Sequence, residues 1–204
     1  MTDVFFTIKK IGKSLYKDKN SKFIGLVYPV ETEEEIKEIQ ASLKKEYFDA
    51  RHQCFAYILG FDKEIYRSND DGEPSGSAGK PIYNQLLSAN ITNALAVVIR
   101  YFGGVKLGVP GLINAYKVAT KEAIEDAEVI KNFIAQKITI SFPYSSINNA
   151  MQITQNENVR IIDRSFSNDC QMEIAVKESA IEIIKSKLTN VNLDFEVDDK
   201  RIVF

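Results

Sequence analysis

The run NALAVVIRYF, residues 93–102, is apolar and rich in β-branched side chains, a composition typical of a strand buried at the centre of a sheet. The loop GGVKLGVPG follows at residues 103–111 and brings several glycines together. Beyond it, apolar residues recur at helical spacing: Leu112, Tyr116, Ala119, Ala123 and Ala127. Buried strand, glycine loop and long helix together predict a mixed unit of helices and strands around this segment.

Further elements are predicted before this run. Alternating apolar residues indicate strands at 4–11, 23–30, 54–60 and 64–68. Thr32 and Glu35 have the spacing of a capping box, in which each side chain satisfies a free backbone N–H group, so a helix is expected at about 33–47. Pro81 suits the first turn of another helix, at about 81–89, because its missing N–H group costs nothing there.

The chain after the long helix forms a second predicted unit. Its periodicities give the order strand, helix, strand, strand, helix, strand, with a hairpin turn at Asn168–Asp169. This βαββαβ order is that of a ferredoxin-like split βαβ domain. We therefore predict an α+β protein with one domain at residues 1–130 and a ferredoxin-like domain at 131–204, the boundary falling at about 129–133.

Composition excludes several classes of protein. The 204 residues are 45% hydrophobic and 26% charged, as in an ordinary globular protein. No apolar stretch approaches the roughly 18 to 20 residues of a membrane span, and no leader pattern opens the chain, so we expect a cytoplasmic protein without a membrane partner. The net charge of −2 argues against coating nucleic acid through bulk charge. Any contact with nucleic acid must come from a local patch, and no DNA sequence specificity is expected.

The polar segment NDDGEPSGSAGKP, residues 69–81, is the first candidate site. Its glycines let backbone N–H groups turn toward a ligand, and a helix N-terminus attracts anions. It is not a phosphate-binding P-loop, because Pro74 stands where that motif has glycine and Pro81 follows the lysine. Its carboxylates are instead candidate ligands of Mg²⁺. A long solvated turn is the competing interpretation. The segment contributes six candidate binding residues: Asp70, Asp71, Glu73, Ser75, Ser77 and Lys80.

The second candidate site is the loop at 103–111, where Lys106 lies among glycines between Arg100 and the long helix. Both loops lead into helices, so we expect them on the same side of the first domain, with His52 nearby. His52 and Cys54 share a face of a predicted strand, which suggests a thiol nucleophile with a histidine base. Cysteine in an apolar strand is more often a core residue, with His52 as a polar lining residue of the cleft.

Six lysines are concentrated at residues 9–22, with one acidic residue among them. Tyr16 and Phe23 are interleaved with or adjacent to this segment, as on a surface that meets RNA backbone and bases. The alternative is a solvated strand edge that the lysines protect from aggregation.

Three strings in this order resemble the signature of the IMPACT family N-terminal domain: ARHQCFAY (50–57), NDDGEPSGSAGKP (69–81) and RYFGGVKLG (100–108), followed by GLINAY (111–116). The resemblance is to the bacterial, YigZ-like branch. It implies that the first domain has the fold of the second domain of ribosomal small-subunit protein five, and that the last 70 or so residues form the ferredoxin-like domain. Asn114 departs from the pattern, since family members often have Leu-Val-Arg where this chain has Leu-Ile-Asn.

The resemblance implies a non-enzymatic, translation-associated regulator that binds RNA, the ribosome or a translation-related protein through the glycine loops of the first domain. An enzyme acting on a small phosphorylated or nucleotide-like substrate is the alternative, with Mg²⁺ at Asp70, Asp71 and Glu73 and phosphate at Lys80 or Lys106. Eukaryotic members, which have an additional N-terminal domain, restrain a starvation-activated kinase by competing for its activator. That partner is not expected to carry over, although a protein-interaction regulator without nucleic acid is a third interpretation. No catalytic residue and no cofactor is assigned.

Overall fold

The computed structural model describes residues 3–166 and 170–204. They form two compact units, one comprising Phe6–Lys131 and the other Asn132–Phe204 with the described residues before Phe6. The strands of the first part of the chain are β1 (Val4–Ile8), β2 (Gly12–Asp18), β3 (Ser21–Pro29), β4 (His52–Leu59), β5 (Ile65–Asn69) and β6 (Ala94–Tyr101). Its helices are α1 (Glu33–Glu46), α2 (Gly79–Ser88) and α3 (Gly108–Asp126). The second part contains β7 (Val129–Phe142), α4 (Ile147–Thr154), β8 (Val159–Ser165), β9 (Cys170–Lys177), α5 (Ile181–Asn190) and β10 (Asp194–Val203).

The first unit is built on an antiparallel sheet with the strand order β2-β3-β6-β4-β5, so the strand predicted at 93–102 is central, as expected. Alternate residues of β6 enter different layers. Ala94, Ala96 and Val98 belong to the core that contains residues of α2 and α3, whereas Leu95 and Val97 belong to the core that contains residues of α1. Burial of both faces explains why this strand is continuously apolar.

The capping box of α1 is confirmed. The Thr32 hydroxyl accepts a hydrogen bond from the backbone N–H group of Glu35 at 3.2 Å. In return, the Glu35 carboxylate accepts from the N–H groups of Thr32 at 3.4 Å and Glu31 at 2.7 Å. Ile36 and Leu43 then recur on the buried side of the helix. The helix therefore begins where nearby side chains accept hydrogen bonds from backbone N–H groups that would otherwise be unpaired.

Strand β2 was not predicted. It forms the edge of the sheet beside β3, and the exposed positions of its alternating pattern include Lys13 and Lys17. Its other face lies against α3, where a Cβ atom on Gly12 would come within 2.0 Å of the Ala123 carbonyl oxygen. The exposed face contains Lys13, Leu15 and Lys17, and the other face contains Gly12, Ser14 and Tyr16, so apolar residues fall on both faces and no apolar alternation marks the strand. The lysine-rich segment is thus partly a sheet edge, as the alternative interpretation held.

Helix α3 also approaches the neighbouring strand closely. A Cβ atom on Gly25 of β3 would lie 2.4 Å from the carbonyl oxygen of Ala119. The hydroxyl of Ser14 donates a hydrogen bond to the same carbonyl at 2.6 Å. Two glycines and a small hydroxyl residue therefore let the backbone of α3 rest directly on the sheet.

The second unit confirms the predicted ferredoxin-like order. Its strands pair antiparallel in the sequence β10-β7-β9-β8, and β1 also pairs with β7. Buried residues of α4 and α5, including Ile153 and Ile184, share a core with those of the strands. The hairpin turn predicted at Asn168–Asp169 lies outside the described residues. The α+β, two-domain prediction of the fold class is confirmed.

The domain limits differ in detail from those predicted, 1–130 and 131–204. Strand β7 starts at Val129, so the boundary expected at 129–133 falls inside a continuous strand. The residues just before Phe6 belong to the second unit, because the N–H group of Ile134 donates to the Asp3 carbonyl at 2.7 Å and Ser179 donates to the Asp3 carboxylate. These hydrogen bonds join residues too distant in sequence for local patterns to reveal. No helix in the described part of the chain has the length and apolar character needed to cross a membrane.

Replacing Thr32 by Ala removes the hydroxyl of the capping box and leaves the Glu35 N–H group without its side-chain acceptor. We expect the free energy of unfolding, measured by urea denaturation, to fall by about 1 kcal/mol. Thr32→Ser is the matched control, because it keeps the hydroxyl, and should stay close to the unmodified protein. Equal losses in both variants would show that the methyl group, and not the cap, carries the effect.

Candidate functional site

The two glycine loops line one cavity, of about 420 Å³, in the first unit. This loop cavity is lined by Arg51, His52, Gly72, Glu73, Pro74, Arg100, Phe102, Lys106, Leu107, Gly108, Val109 and Leu112. It lies where β4 starts, β6 ends and α3 begins. The prediction that both loops lie on the same side of the domain with His52 nearby is therefore confirmed.

A buried ion pair forms part of the cavity wall. Arg100 lies on the α3 side of β6, and its Nη1 is 2.6 Å from Oε1 of Glu73, with both side chains less than a tenth exposed. The hydroxyl of Tyr116 donates to the same carboxylate oxygen at 2.7 Å. The guanidinium carbon lies 5.4 Å from the ring centroid of Phe23 and 5.5 Å from that of Phe102. The Arg100 Nε is buried and has no hydrogen-bond partner among the described residues.

Asp70 holds its own loop in place. Its carboxylate accepts hydrogen bonds from the backbone N–H groups of Gly76 at 2.9 Å, Ala78 at 3.0 Å and Gly79 at 2.8 Å. These donors lie at or just before the first residue of α2, so Asp70 stabilises the positive end of that helix from nine residues upstream. The turn is tight, since a Cβ atom on Gly79 would lie 2.7 Å from the backbone nitrogen of Asn69.

Asp71 orients His52. Its carboxylate accepts a hydrogen bond from the backbone N–H group of Gln53 at 2.6 Å, and its carbonyl oxygen lies 2.7 Å from Nδ1 of His52. A carbonyl can only accept, so this contact requires the proton of the neutral imidazole on Nδ1. The Nε2 atom is then the acceptor nitrogen of the ring. His52 therefore presents a fixed ring to the cavity it lines.

The three acidic residues of the loop face different partners: Asp70 the N-terminus of α2, Asp71 the strand β4, and Glu73 the guanidinium of Arg100. Across residues 3–166 and 170–204, no group of three or more His, Cys, Asp or Glu side chains is arranged to hold a metal ion. Magnesium binding at these three residues stays a prediction without support from their geometry.

The remaining candidates divide between the cavity and other roles. Ser77 is buried and donates to the Pro74 carbonyl at 2.6 Å, so it stabilises the loop. Ser75 and Lys80 are exposed and are not among the residues that line the cavity. Lys106 is exposed and does line it. Of the nine candidates, His52, Glu73, Arg100 and Lys106 therefore meet at the cavity.

Sequence reasoning missed three residues that matter here. Arg51 and Phe102 line the cavity, and Tyr116 supplies the second hydrogen bond to Glu73. Arg51 and Phe102 lie inside the strings ARHQCFAY and RYFGGVKLG, where the candidate residues were His52, Arg100 and Lys106. The alternation of β6 did indicate a buried charge, because Arg100 falls on the same face as Val98. A buried arginine requires a partner.

Cys54 is a core residue. It is buried, its sulfur lies 3.0 Å from the Asp70 carbonyl oxygen, and it is not among the cavity-lining residues. Burial raises the pKa of the Cys54 thiol well above its ordinary value, and the nearby carboxylates add to the effect. A thiolate is therefore strongly disfavoured, and the arrangement gives the nucleophile interpretation no support.

The comparisons with known proteins agree with this architecture. The family model "Impact N-terminal domain" matches residues 19–124, which include every residue that lines the loop cavity. IMPACT family member YvyE of Bacillus subtilis (strain 168) is 32% identical over 199 residues, covering 96% of this chain and 92% of the relative. IMPACT family member YigZ of Escherichia coli (strain K12) is 28% identical over 174 residues, covering 84% and 85%. Two-domain proteins with this N-terminal domain are thus the class that fold and site define.

The chain belongs to the IMPACT family. Protein IMPACT of Mus musculus is 34% identical over 96 residues, which are 45% of this chain and 30% of the mouse protein. A crystal structure described as that of a hypothetical protein superposes with a TM-score of 0.70 at 24% identity, covering 98% of this chain and 100% of that one, and shows the likeness of fold. Membership supports a place in a family of translation-related regulators.

Replacing Glu73 by Ala leaves the Arg100 guanidinium buried without its carboxylate. We expect the free energy of unfolding to fall by about 3–5 kcal/mol, because an uncompensated buried charge is costly. Glu125→Ala is the control, since Glu125 pairs with Lys121 where both side chains are more than half exposed, and should change stability by less than about 1 kcal/mol. Urea denaturation followed by tyrosine fluorescence measures both. Similar small losses would mean that the buried pair contributes no more than a surface pair.

The Cys54 thiol should resist alkylation in the folded protein. At pH 8, iodoacetamide is expected to modify Cys54 slowly, since burial disfavours the thiolate, and rapidly once urea unfolds the chain. Peptide mapping by mass spectrometry separates this site from Cys170, which is also buried. Fast modification of Cys54 in the folded protein would contradict the assignment of this residue to the core.

Proposed function

We propose that this chain is a non-enzymatic, translation-associated regulator that binds RNA through the surface formed by its two glycine loops. One observation carries the proposal: the loop cavity brings together the exposed cations Arg51 and Lys106 and the aromatic residue Phe102, which is 41% exposed. Phosphate groups are attracted by lysine and arginine, and bases stack on aromatic rings. Both parts of a nucleotide therefore have a complement in one place.

The local electrostatics favour an anion although the whole chain is nearly neutral. Glu73 brings a negative charge to the lining, but it is paired with Arg100. The N-terminal end of α3, at Leu107–Val109, also lines the cavity, and its first turn contains no acidic residue. The positive end of a helix attracts phosphate. A local patch of this kind is what an RNA-binding protein of small net charge requires.

RNA is the partner that this chemistry favours over a protein. An apolar protein interface would not need two exposed cations beside a stacking ring, whereas a nucleotide uses both. Membership of a family of translation-related regulators suggests RNA in the setting of translation. Binding to ribosomal particles without binding to free RNA would instead point to a translation-related protein or to the assembled ribosome.

An enzyme acting on a small phosphorylated or nucleotide-like substrate is the second candidate. The observation that favours it is the shared, concave cavity of about 420 Å³, a volume in the range of small-molecule sites. The acceptor nitrogen of His52 is its candidate base. Turnover of a nucleotide by the purified protein, abolished by His52→Ala, would replace the binding proposal with this one.

Lys106→Gln should weaken binding of a single-stranded RNA of twelve nucleotides. Loss of one phosphate contact is expected to reduce the slope of log affinity against log salt by about 0.7. Fluorescence anisotropy between 50 and 200 mM KCl measures both quantities. Lys80→Gln is the matched control, because Lys80 is exposed at the start of α2 and does not line the cavity. Equal losses in the two variants, or no binding by the unmodified protein at the lowest salt, would contradict the proposal.

A further inference from the structure

We infer that Phe102 divides the RNA-binding surface into two subsites that receive consecutive nucleotides of a single strand. This inference rests on the proposed function and specifies its ligand. Phe102 lines the loop cavity and also a second cavity of about 380 Å³. The second cavity, here the hairpin cavity, is lined by Asn20, Lys22, Ile24, Asp49, Tyr101 and Phe102. One exposed aromatic residue thus lines two cavities.

Both cavities are of a size that suits a nucleotide. Their volumes, about 420 and 380 Å³, lie in the lower part of the range of roughly 300–1,000 Å³ that is usual for small-molecule sites. Single-stranded RNA is recognised with its bases splayed apart and stacked on aromatic side chains. An aromatic residue that lines both cavities provides a stacking surface where the strand passes from one to the other.

Each cavity has an exposed cation of its own. Lys106 and Arg51 line the loop cavity, and Lys22 lines the hairpin cavity. Asp49 also lines the hairpin cavity, where its carboxylate accepts a hydrogen bond from the Tyr101 hydroxyl at 2.7 Å. A strand with one nucleotide in each cavity brings one phosphate to each set of cations. Two subsites therefore predict two separable charge contributions.

Phe102 is held in two ways, through the backbone of the next residue and through a contact on its ring. The next residue, Gly103, donates its N–H group to the Ser21 hydroxyl at 3.1 Å, and a Cβ atom on Gly103 would come within 2.1 Å of the carbonyl carbon of Asn20. The chain is thereby fixed against the turn between β2 and β3. On the inner side, the Arg100 guanidinium lies over the ring. A stacking surface fixed in this way costs little ordering on binding.

The test uses the full chain and three probes: adenosine monophosphate, 5′-phosphorylated ApA and 5′-phosphorylated ApApA. Calorimetric titration at 50 mM KCl should show a gain in affinity of at least fivefold from the mononucleotide to the dinucleotide, and less than twofold from there to the trinucleotide. Lys22→Gln should lower the affinity for the dinucleotide and leave the affinity for the mononucleotide unchanged. Lys106→Gln should lower the affinity for both probes.

Phe102→Ala should lower the affinity for the dinucleotide at least about fivefold, as expected when base stacking is lost. Phe48→Ala is the matched control, because Phe48 is 82% exposed and lines neither cavity. Phe102→Leu keeps an apolar side chain without the aromatic ring, and should weaken binding while retaining the circular dichroism spectrum of the unmodified protein.

Three results would overturn the inference while leaving the proposed function intact. The dinucleotide could bind no tighter than the mononucleotide, Lys22→Gln could lower the affinity for both probes equally, or both Phe102 variants could keep the affinity of the unmodified protein. Each result counts only if the protein still binds the twelve-nucleotide RNA through Lys106. Failure to bind that RNA at all would overturn both proposals together.

Discussion

The buried charge of Arg100 is the constraint on which the first unit depends. Its position at the end of the central strand, on the face covered by α3, removes the guanidinium from water. A charge so placed needs a partner, and Glu73 supplies it from a loop 27 residues away in sequence. The polar loop must therefore fold over this end of the sheet. In this position it forms one wall of the loop cavity.

The acidity of this loop has a structural explanation. Asp70 caps α2, Asp71 fixes the start of β4 and the tautomer of His52, and Glu73 neutralises Arg100. The three carboxylates are close together in the sequence, but each is bound by different donors: the N-terminus of α2, the start of β4 and the guanidinium of Arg100. Since their charges are engaged by helix, strand and guanidinium, the exposed cations Arg51 and Lys106 are left to set the character of the cavity. An acidic segment thus lies beside a cavity whose exposed charged residues are cations.

Sequence patterns predicted the elements whose signal is local. The central strand has a continuous apolar run, α1 has a capping box within four residues, and the second unit has the periodicities of a ferredoxin-like domain. Strand β2 was missed because its apolar residues Leu15 and Tyr16 fall on opposite faces, while Gly12 and Ser14 on the inward face have no apolar signal. The candidate residues of the two loops were found by composition, but their roles depend on contacts such as Tyr116 with Glu73, which span 43 residues. Composition identifies such residues and cannot assign their partners.

The close contact of α3 with the sheet has a consequence for which residues positions 12 and 25 can accept. Gly12 and Gly25 admit the helix backbone so near that its carbonyl oxygens occupy the space of a side chain. A side chain at either position would have to displace the backbone of the helix or of the strand. The same helix supplies Gly108, Val109 and Leu112 to the lining of the cavity. One wall of the cavity therefore depends on two glycines that do not line it.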